Sequence, residues 1–178
     1  MPTILTFALI ANSLSAENAV SLQKTDADGW INLFNGKDLT GWDGDPKVWR
    51  VKDGYISGEI DKLEGGNTFL IFEKPFSNYI LELDVLLVGR KGNSGIQYRS
   101  KHSERGSNKW VVKGYQADFA NGCWGKLYEE GGRGALVWKY KDKAPAIKAN
   151  DGWNRYRITA SGSKLKQELN GTVTIEFD

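Results

Sequence analysis

Residues 114–133 combine side chains that could bind and transform a small polar molecule. In 115–119, Tyr-Gln-Ala-Asp-Phe, polar residues alternate with apolar ones, so a strand here would place Gln116 and Asp118 on one face. The glycine-rich stretch that follows carries further aromatic and charged side chains: Trp124, Tyr128, Glu129, Glu130 and Arg133. Aromatic rings can cover the C–H faces of a sugar while amides and charges read its hydroxyls. The segment therefore predicts a carbohydrate site, although the same aromatic residues could pack under a loop.

A second polar segment lies upstream, at residues 92–99. Asn93 sits between Gly92 and Gly95, where it could face a ligand or serve as an ordinary turn residue. In a strand over 95–99, Gln97 and Arg99 would share a face opposite Ile96 and Tyr98. A guanidinium is a good fork donor to an oxyanion or to paired hydroxyls. The alternative is a solvated outer face.

The remaining reactive residue types predict less. His102 lies in a polar stretch, 100–105, which we expect to be a solvated loop. Cys123 is the only cysteine, so an internal disulfide is excluded, and we expect the thiol to pack rather than react. No His/Cys cluster has zinc spacing and no calcium-loop motif occurs. The metal requirement is therefore unknown, with a divalent metal as one option.

The elements that must position these residues are predicted to be short strands. Turn pairs at 35–36, 53–54, 151–152 and 170–171 separate runs rich in β-forming residues, and no long window has the helical period. Hairpins are predicted across 53–54 and 170–171. Further strands are predicted at 69–72, 79–88, 95–99, 115–119 and 153–160. The pattern favours an all-β, two-sheet sandwich or jelly roll. Because the last strand reaches Phe177 at the very end, it is either central in its sheet or the fold lacks its last C-terminal strands.

The rest of the chain sets the context. Residues 1–16 are predicted to be a signal peptide, with an apolar run at 4–11 and a small-x-small pattern at 14–16. Residues 17–28 read as a linker and 29–178 as one domain, exported to the periplasm or the extracellular space. The apolar run is too short for a membrane span. A net charge of +2, with basic and acidic residues interleaved, does not favour nucleic acid as a partner.

Several motifs in this order resemble the 3-keto-disaccharide hydrolase domain family. The matching segments are Leu-Phe-Asn-Gly-Lys-Asp-Leu-Thr-Gly-Trp at 33–42, Trp-Arg-Val-Lys-Asp-Gly at 49–54, Gly-Asn-Ser-Gly-Ile at 92–96 with Tyr-Arg at 98–99, Gly-Tyr-Gln-Ala-Asp at 114–118, Trp-Gly-Lys-Leu-Tyr-Glu-Glu at 124–130, Trp-Asn at 153–154 and Asn-Gly at 170–171. Each motif alone is weak, and their order makes the likeness specific. The resemblance implies a concanavalin-like jelly roll.

The resemblance also implies a hydrolase or lyase of 3-keto glycosides, with a small carbohydrate as substrate. A base removes the C2 proton, the C1 aglycone leaves, and water is added. In that scheme Asp118 and Glu130 take the base and acid roles and Arg99 stabilises the enolate, with Arg133 or a metal as alternates. The predicted substrate contacts are Asn93, Gln97, Gln116, Trp124, Tyr128, Glu129 and Arg133.

Two other functions are compatible with the sequence. A carbohydrate-binding module without catalysis needs the aromatic residues but not the acids. A two-carboxylate glycosidase needs carboxyls about 5–9 Å apart, which Glu82 with Asp84 or Asp118 could supply.

Overall fold

The computed structural model describes residues 10–11, 29–61, 66–88, 92–105, 108–120, 122–138 and 152–178. The predicted signal peptide and linker lie outside these residues, except for Ile10–Ala11, which pairs with a later strand. The strands are β1 Ile10–Ala11, β2 Trp42–Asp43, β3 Trp49–Lys52, β4 Tyr55–Gly58, β5 Ile71–Phe72, β6 Tyr79–Val85, β7 Asn93–Arg105, β8 Asn108–Ala120, β9 Leu127–Glu130, β10 Gly134–Val137, β11 Asn154–Ser161, β12 Lys164–Leu169 and β13 Thr172–Phe177. None of the described residues forms a helix that could cross a membrane.

Two antiparallel sheets form the sandwich. One has the strand order β1-β6-β11-β12-β13 and the other has the order β10-β9-β8-β7. Two small ribbons, β2-β5 and β3-β4, complete the described strands. The predicted all-β, two-sheet fold is thus confirmed. Within the described residues, β13 pairs only with β12, so it is not a central strand.

The core lies between the two large sheets because each presents an apolar face to the other. Leu83, Tyr156 and Ile158 come from one sheet, and Ala117 and Phe119 come from the other; all are at most 1% exposed. The alternation that buries Ala117 and Phe119 turns Gln116 and Asp118 to the opposite face of their sheet. The outer face of the β7–β10 sheet therefore carries the polar residues of interest.

Both predicted hairpins form. The turn of β3–β4 has positive φ at Asp53 and Gly54, and the turn of β12–β13 has positive φ at Asn170 and Gly171, as a two-residue hairpin turn requires. The prediction of a loop at 100–105 was wrong, since these residues continue β7 and pair with β8. The strand predicted at 69–72 is reduced to Ile71–Phe72.

Candidate functional site

A row of polar side chains crosses the outer face of the β7–β10 sheet. Gln97 of β7 lies opposite Gln116 of β8, and Gln116 lies opposite Tyr128 of β9. Directly opposed residues in antiparallel strands share a face. Asp118 follows two positions along β8 and therefore projects to the same side. The predicted pairing of Gln116 with Asp118 on one face is thus present, with Gln97 and Tyr128 beside them.

Hydrogen bonds connect these side chains into one line that ends on a carboxylate. Ser100 Oγ donates to Gln97 Oε1 at 2.8 Å, and Gln97 Nε2 donates to Gln116 Oε1 at 2.6 Å. Gln116 Nε2 then donates to Asp118 Oδ1 at 2.5 Å. Asp118 is only 3% exposed and Gln116 only 8%. Hydrogen bonds between buried polar groups are well ordered, so the bond from Gln116 fixes the orientation of the Asp118 carboxylate.

Lys126 supplies the cation of the site, and sequence reasoning missed it. Its Nζ lies 2.7 Å from Asp118 Oδ2. It also lies 5.2 Å from the ring centroid of Tyr128 and 6.0 Å from that of Trp138. A lysine in a glycine-rich turn gives no periodic signal. Its place follows from the turn at 122–126, which leads the chain back into β9 and brings Lys126 beside Asp118.

The environment shifts the pKa values of both ionic partners. Burial raises the pKa of the Asp118 carboxyl, against hydrogen bonds from Lys126 and Gln116 and the charge of Lys126, which lower it. Burial lowers the pKa of Lys126, but its hydrogen bond to Asp118 and the charge of that carboxylate more than offset this, so its pKa is raised. The site therefore pairs a carboxylate that is more basic than usual with an ammonium that retains its proton.

Tyr156 of the opposite sheet fixes the turn that carries Lys126. Its buried hydroxyl donates to Asp118 O at 2.6 Å and accepts from Gly125 N at 3.0 Å. Gly125 has φ +74°, and a Cβ there would meet Thr174 Cγ2 at 2.8 Å, so the turn needs glycine at this position. The core thus controls the geometry of the Asp118–Lys126 pair.

Arg99 lies near Gln97 but makes its hydrogen bonds away from Asp118 and Lys126, so the structure does not bring it to that ion pair. A bulge interrupts β7 after Tyr98, and Arg99 has φ +50°. Its guanidinium donates to the backbone carbonyls of Ser77 and Gly162, the latter at 2.8 Å. The bulge instead puts Ser100 next to Gln97.

The sequence had led us to expect Trp124 to be an accessible platform for a sugar. Trp124 is instead a core residue. It is 2% exposed and lies against Phe119 and Tyr156, with ring centroids 5.7 Å and 6.4 Å away. A ligand could stack on it only by displacing the core. Cys123 next to it is half-buried, and it is one of the groups that raise the pKa of Lys126.

The acids of β9 divide between the two faces. Glu130 lies opposite Gly114, on the face of Tyr128, and accepts from Asn67 Nδ2 at 3.2 Å and 3.1 Å. Glu129 lies opposite Tyr115 and pairs with Arg133 at 2.5 Å, on the other face. Glu129 and Arg133 therefore lie away from Asp118.

Asn93 and His102 lie toward the two ends of β7. Asn93 is exposed and stands opposite Ala120, on the face of Gln97 by alternation. His102 is exposed, as expected, and its Nε2 contacts the carbonyl of Lys109.

The carboxylates of the glycosidase hypothesis are engaged elsewhere. Glu82 pairs with Arg157, and Asp84 pairs with Arg155 at 2.6 Å, both across β6 and β11 of the other sheet. Neither faces Asp118 across a cleft. Among the described residues, no group of three His, Cys, Asp or Glu side chains is placed to hold a metal ion.

A cavity of about 840 Å³ runs along β7, between that strand and the segment 67–76 with the β3–β4 hairpin. Its walls are mainly apolar, but polar side chains also line it, among them Asn93, Gln97, Arg99, Ser100 and Gln116. Asp118 and Lys126 do not. The two glutamines thus link the cavity to the ion pair.

Comparisons with known proteins agree with this architecture. Residues 29–178 match the domain family described as 3-keto-alpha-glucoside-1,2-lyase-like. A 3-keto-disaccharide hydrolase from Bacteroides thetaiotaomicron is 40% identical over 100 residues, which cover 49% of this chain and 33% of that protein. A solved structure from Parabacteroides distasonis, provisionally described as a glycosyl hydrolase, has a TM-score of 0.62 and 23% identity over 92% of this chain and 77% of its own. At that identity the likeness shows the fold alone.

Proposed function

We propose that this chain, which belongs to the 3-keto-alpha-glucoside-1,2-lyase-like domain family, cleaves 3-keto glycosides by elimination. The name of the Bacteroides relative supports a keto-sugar substrate. The observation that carries the proposal is the Asp118–Lys126 pair, with its charged atoms 2.7 Å apart on a face of amides and aromatic rings. It combines a base and a cation in one place.

The reaction needs that combination. A ketone at C3 makes the C2 proton acidic, and removal of this proton puts negative charge on the ketone oxygen. The proton and the oxygen are on adjacent carbons, so base and cation must be neighbours. In this proposal Asp118 removes the proton and Lys126 stabilises the enolate oxygen, in place of Arg99.

In this proposal, substrate binding makes one oxygen of the buried Asp118 carboxylate accessible. Lys126 covers the Asp118 carboxylate. Transfer of the ammonium from Asp118 to the ketone oxygen exposes Oδ2 to the C2 proton. The same movement removes a group that lowers the pKa of Asp118, so the carboxylate becomes a stronger base as the substrate arrives.

The atoms balance with one carboxyl. The C2–H bond breaks and the proton passes to Asp118. The C1–O1 bond breaks, a C1=C2 double bond forms, and the protonated Asp118 returns the proton to O1. Addition of water across the double bond then gives the free 3-keto sugar, which completes net hydrolysis.

The remaining residues of the site bind the substrate. Gln116 positions Asp118, and Gln97 and Asn93 face the sugar hydroxyls along the cavity. Tyr128 lies against the sugar next to Lys126. Glu130 of β9 pairs with Gly114 of β8, which lies four residues before Asp118. At the rise of a strand, this separation is about 13 Å. That is too far to act on the same bond, so Glu130 contacts the leaving part of the substrate.

The proposal is tested by measuring aglycone release from two substrates, with the unchanged protein and with two variants. Purified protein is incubated with a 3-keto glucoside carrying a chromogenic aglycone and with its unoxidised parent. We expect release from the keto substrate alone. Asp118→Asn should abolish release while binding persists, because the amide cannot take the proton.

Asp84→Asn is the matched control, since Asp84 is also in an ion pair with a basic residue but lies on the other sheet. Its release rate should equal that of the unchanged protein. Normal turnover by a folded Asp118→Asn variant would remove Asp118 from the mechanism.

A carbohydrate-binding module without catalysis is the second candidate. The near-complete burial of Asp118 favours it, because a purely structural ion pair would have the same geometry. Saturable binding of the sugar with no release from either substrate would support this function.

A further inference from the structure

Trp138 is a large apolar side chain on the surface of the protein. It follows directly after β10, which ends at Val137. It is 55% exposed and is the only large hydrophobic side chain that exposed among the residues described. Isolated exposed apolar residues are common, so exposure alone assigns no role.

The location of Trp138 makes the exposure significant. Lys126 Nζ lies 6.0 Å from the Trp138 ring centroid and 5.2 Å from that of Tyr128. The same Nζ lies 2.7 Å from Asp118 Oδ2. Two aromatic rings therefore border the one lysine that pairs with the buried carboxylate, and one of the two is open to solvent.

The spacing between the indole and the ammonium suits a sugar ring. The C–H face of a pyranose rests on an aromatic ring at van der Waals distance, about 3.5–4 Å. A hydrogen bond from an ammonium nitrogen to a sugar oxygen spans about a further 2.7–3 Å, and part of this length runs parallel to the aromatic ring. A sugar ring stacked on Trp138 therefore has one of its oxygen substituents within hydrogen-bonding distance of Lys126 Nζ.

We propose that Trp138 is the stacking platform for the sugar ring whose oxygen Lys126 binds. The ligand class is a pyranose with an apolar C–H face. That this ring is the one bearing the ketone rests on the proposed function. Trp138 thus takes the role that the sequence had led us to expect for Trp124.

The experiment compares Trp138→Ala with Trp153→Ala on two 3-keto substrates, a disaccharide and a glucoside with a nitrophenyl aglycone. Trp153 is a matched control because it packs against Tyr55, beside Asp84 and Arg155 on the other sheet. Melting temperatures verify folding. We expect Trp138→Ala to raise KM about tenfold for both substrates with little change in kcat, and Trp153→Ala to leave KM unchanged.

Calorimetric binding of each 3-keto substrate to Asp118→Asn, with and without Trp138→Ala, separates this inference from the proposed function. Loss of binding with Trp138→Ala supports the platform even if the unchanged protein releases no aglycone. An unchanged KM and affinity would overturn it. An effect on the disaccharide alone would also overturn it, because Trp138 would then stack the leaving sugar.

Discussion

Among single residues, Lys126 has the greatest influence on the proposed base, Asp118. The two groups share one ion pair, and Gln116 holds the second oxygen of the carboxylate. A base must be ionised to work, whereas burial raises the pKa of Asp118. The pH profile therefore reports directly on this pair.

We predict that kcat/KM falls as the pH drops through the pKa of Asp118, which burial raises above its ordinary value. Lys126→Gln removes a charge that lowers this pKa, so the acid limb should move to higher pH. The plateau should fall by about 10²–10³, as for loss of an oxyanion-stabilising donor. Initial rates across pH measure both effects.

Lys113→Gln is the control, because Lys113 is an exposed lysine on β8, the strand that carries Asp118. It should leave the profile in place. An acid limb that stays put in Lys126→Gln would mean that the titrating base is not Asp118.

At the scale of elements, the turn between β8 and β9 determines where Lys126 lies. Tyr156 is the link from the core to this turn, through Asp118 O and Gly125 N. Tyr156→Phe leaves buried backbone groups with fewer partners, which costs about 1–3 kcal/mol. We predict that it also lowers kcat, because the turn loses its anchor. Urea unfolding and turnover are the two measurements.

Tyr98→Phe serves as the comparison, since the Tyr98 hydroxyl accepts from Gln167 Nε2 at 2.6 Å inside the same core. It should cost similar stability but leave the turnover of folded protein intact. Equal losses of kcat in the two variants would show that Tyr156 acts only on stability.

The strands were predictable from the sequence to the extent that local signals determine them. Asn170-Gly171 and Asp53-Gly54 specify hairpin turns by themselves, and alternation put Gln116 and Asp118 together. The bulge that redirects Arg99 and the turn that returns Lys126 have no period. Trp124 looked like a binding residue because composition does not say which side of a sheet a loop aromatic will reach.

At the scale of the whole molecule, the two sheets have different tasks. The β6–β11–β12 region holds its charges in pairs such as Glu82 with Arg157 and Asp84 with Arg155, near the surface. The outer face of the β7–β10 sheet instead buries its one described ion pair behind two glutamines. The shared core positions that pair through Tyr156. This asymmetry, more than the fold itself, is what points to chemistry on the β7–β10 sheet.

The most direct test of elimination is the fate of the C2 hydrogen. A 3-keto glucoside labelled with deuterium at C2 is mixed with the unlabelled compound, and aglycone release and product label are followed by mass spectrometry. If Asp118 removes the C2 proton, the labelled substrate releases its aglycone more slowly, and the 3-keto sugar loses more deuterium than it does with Asp118→Asn. Equal rates with deuterium retained in the product would contradict elimination, because the glycosidic bond would then break without removal of the C2 proton.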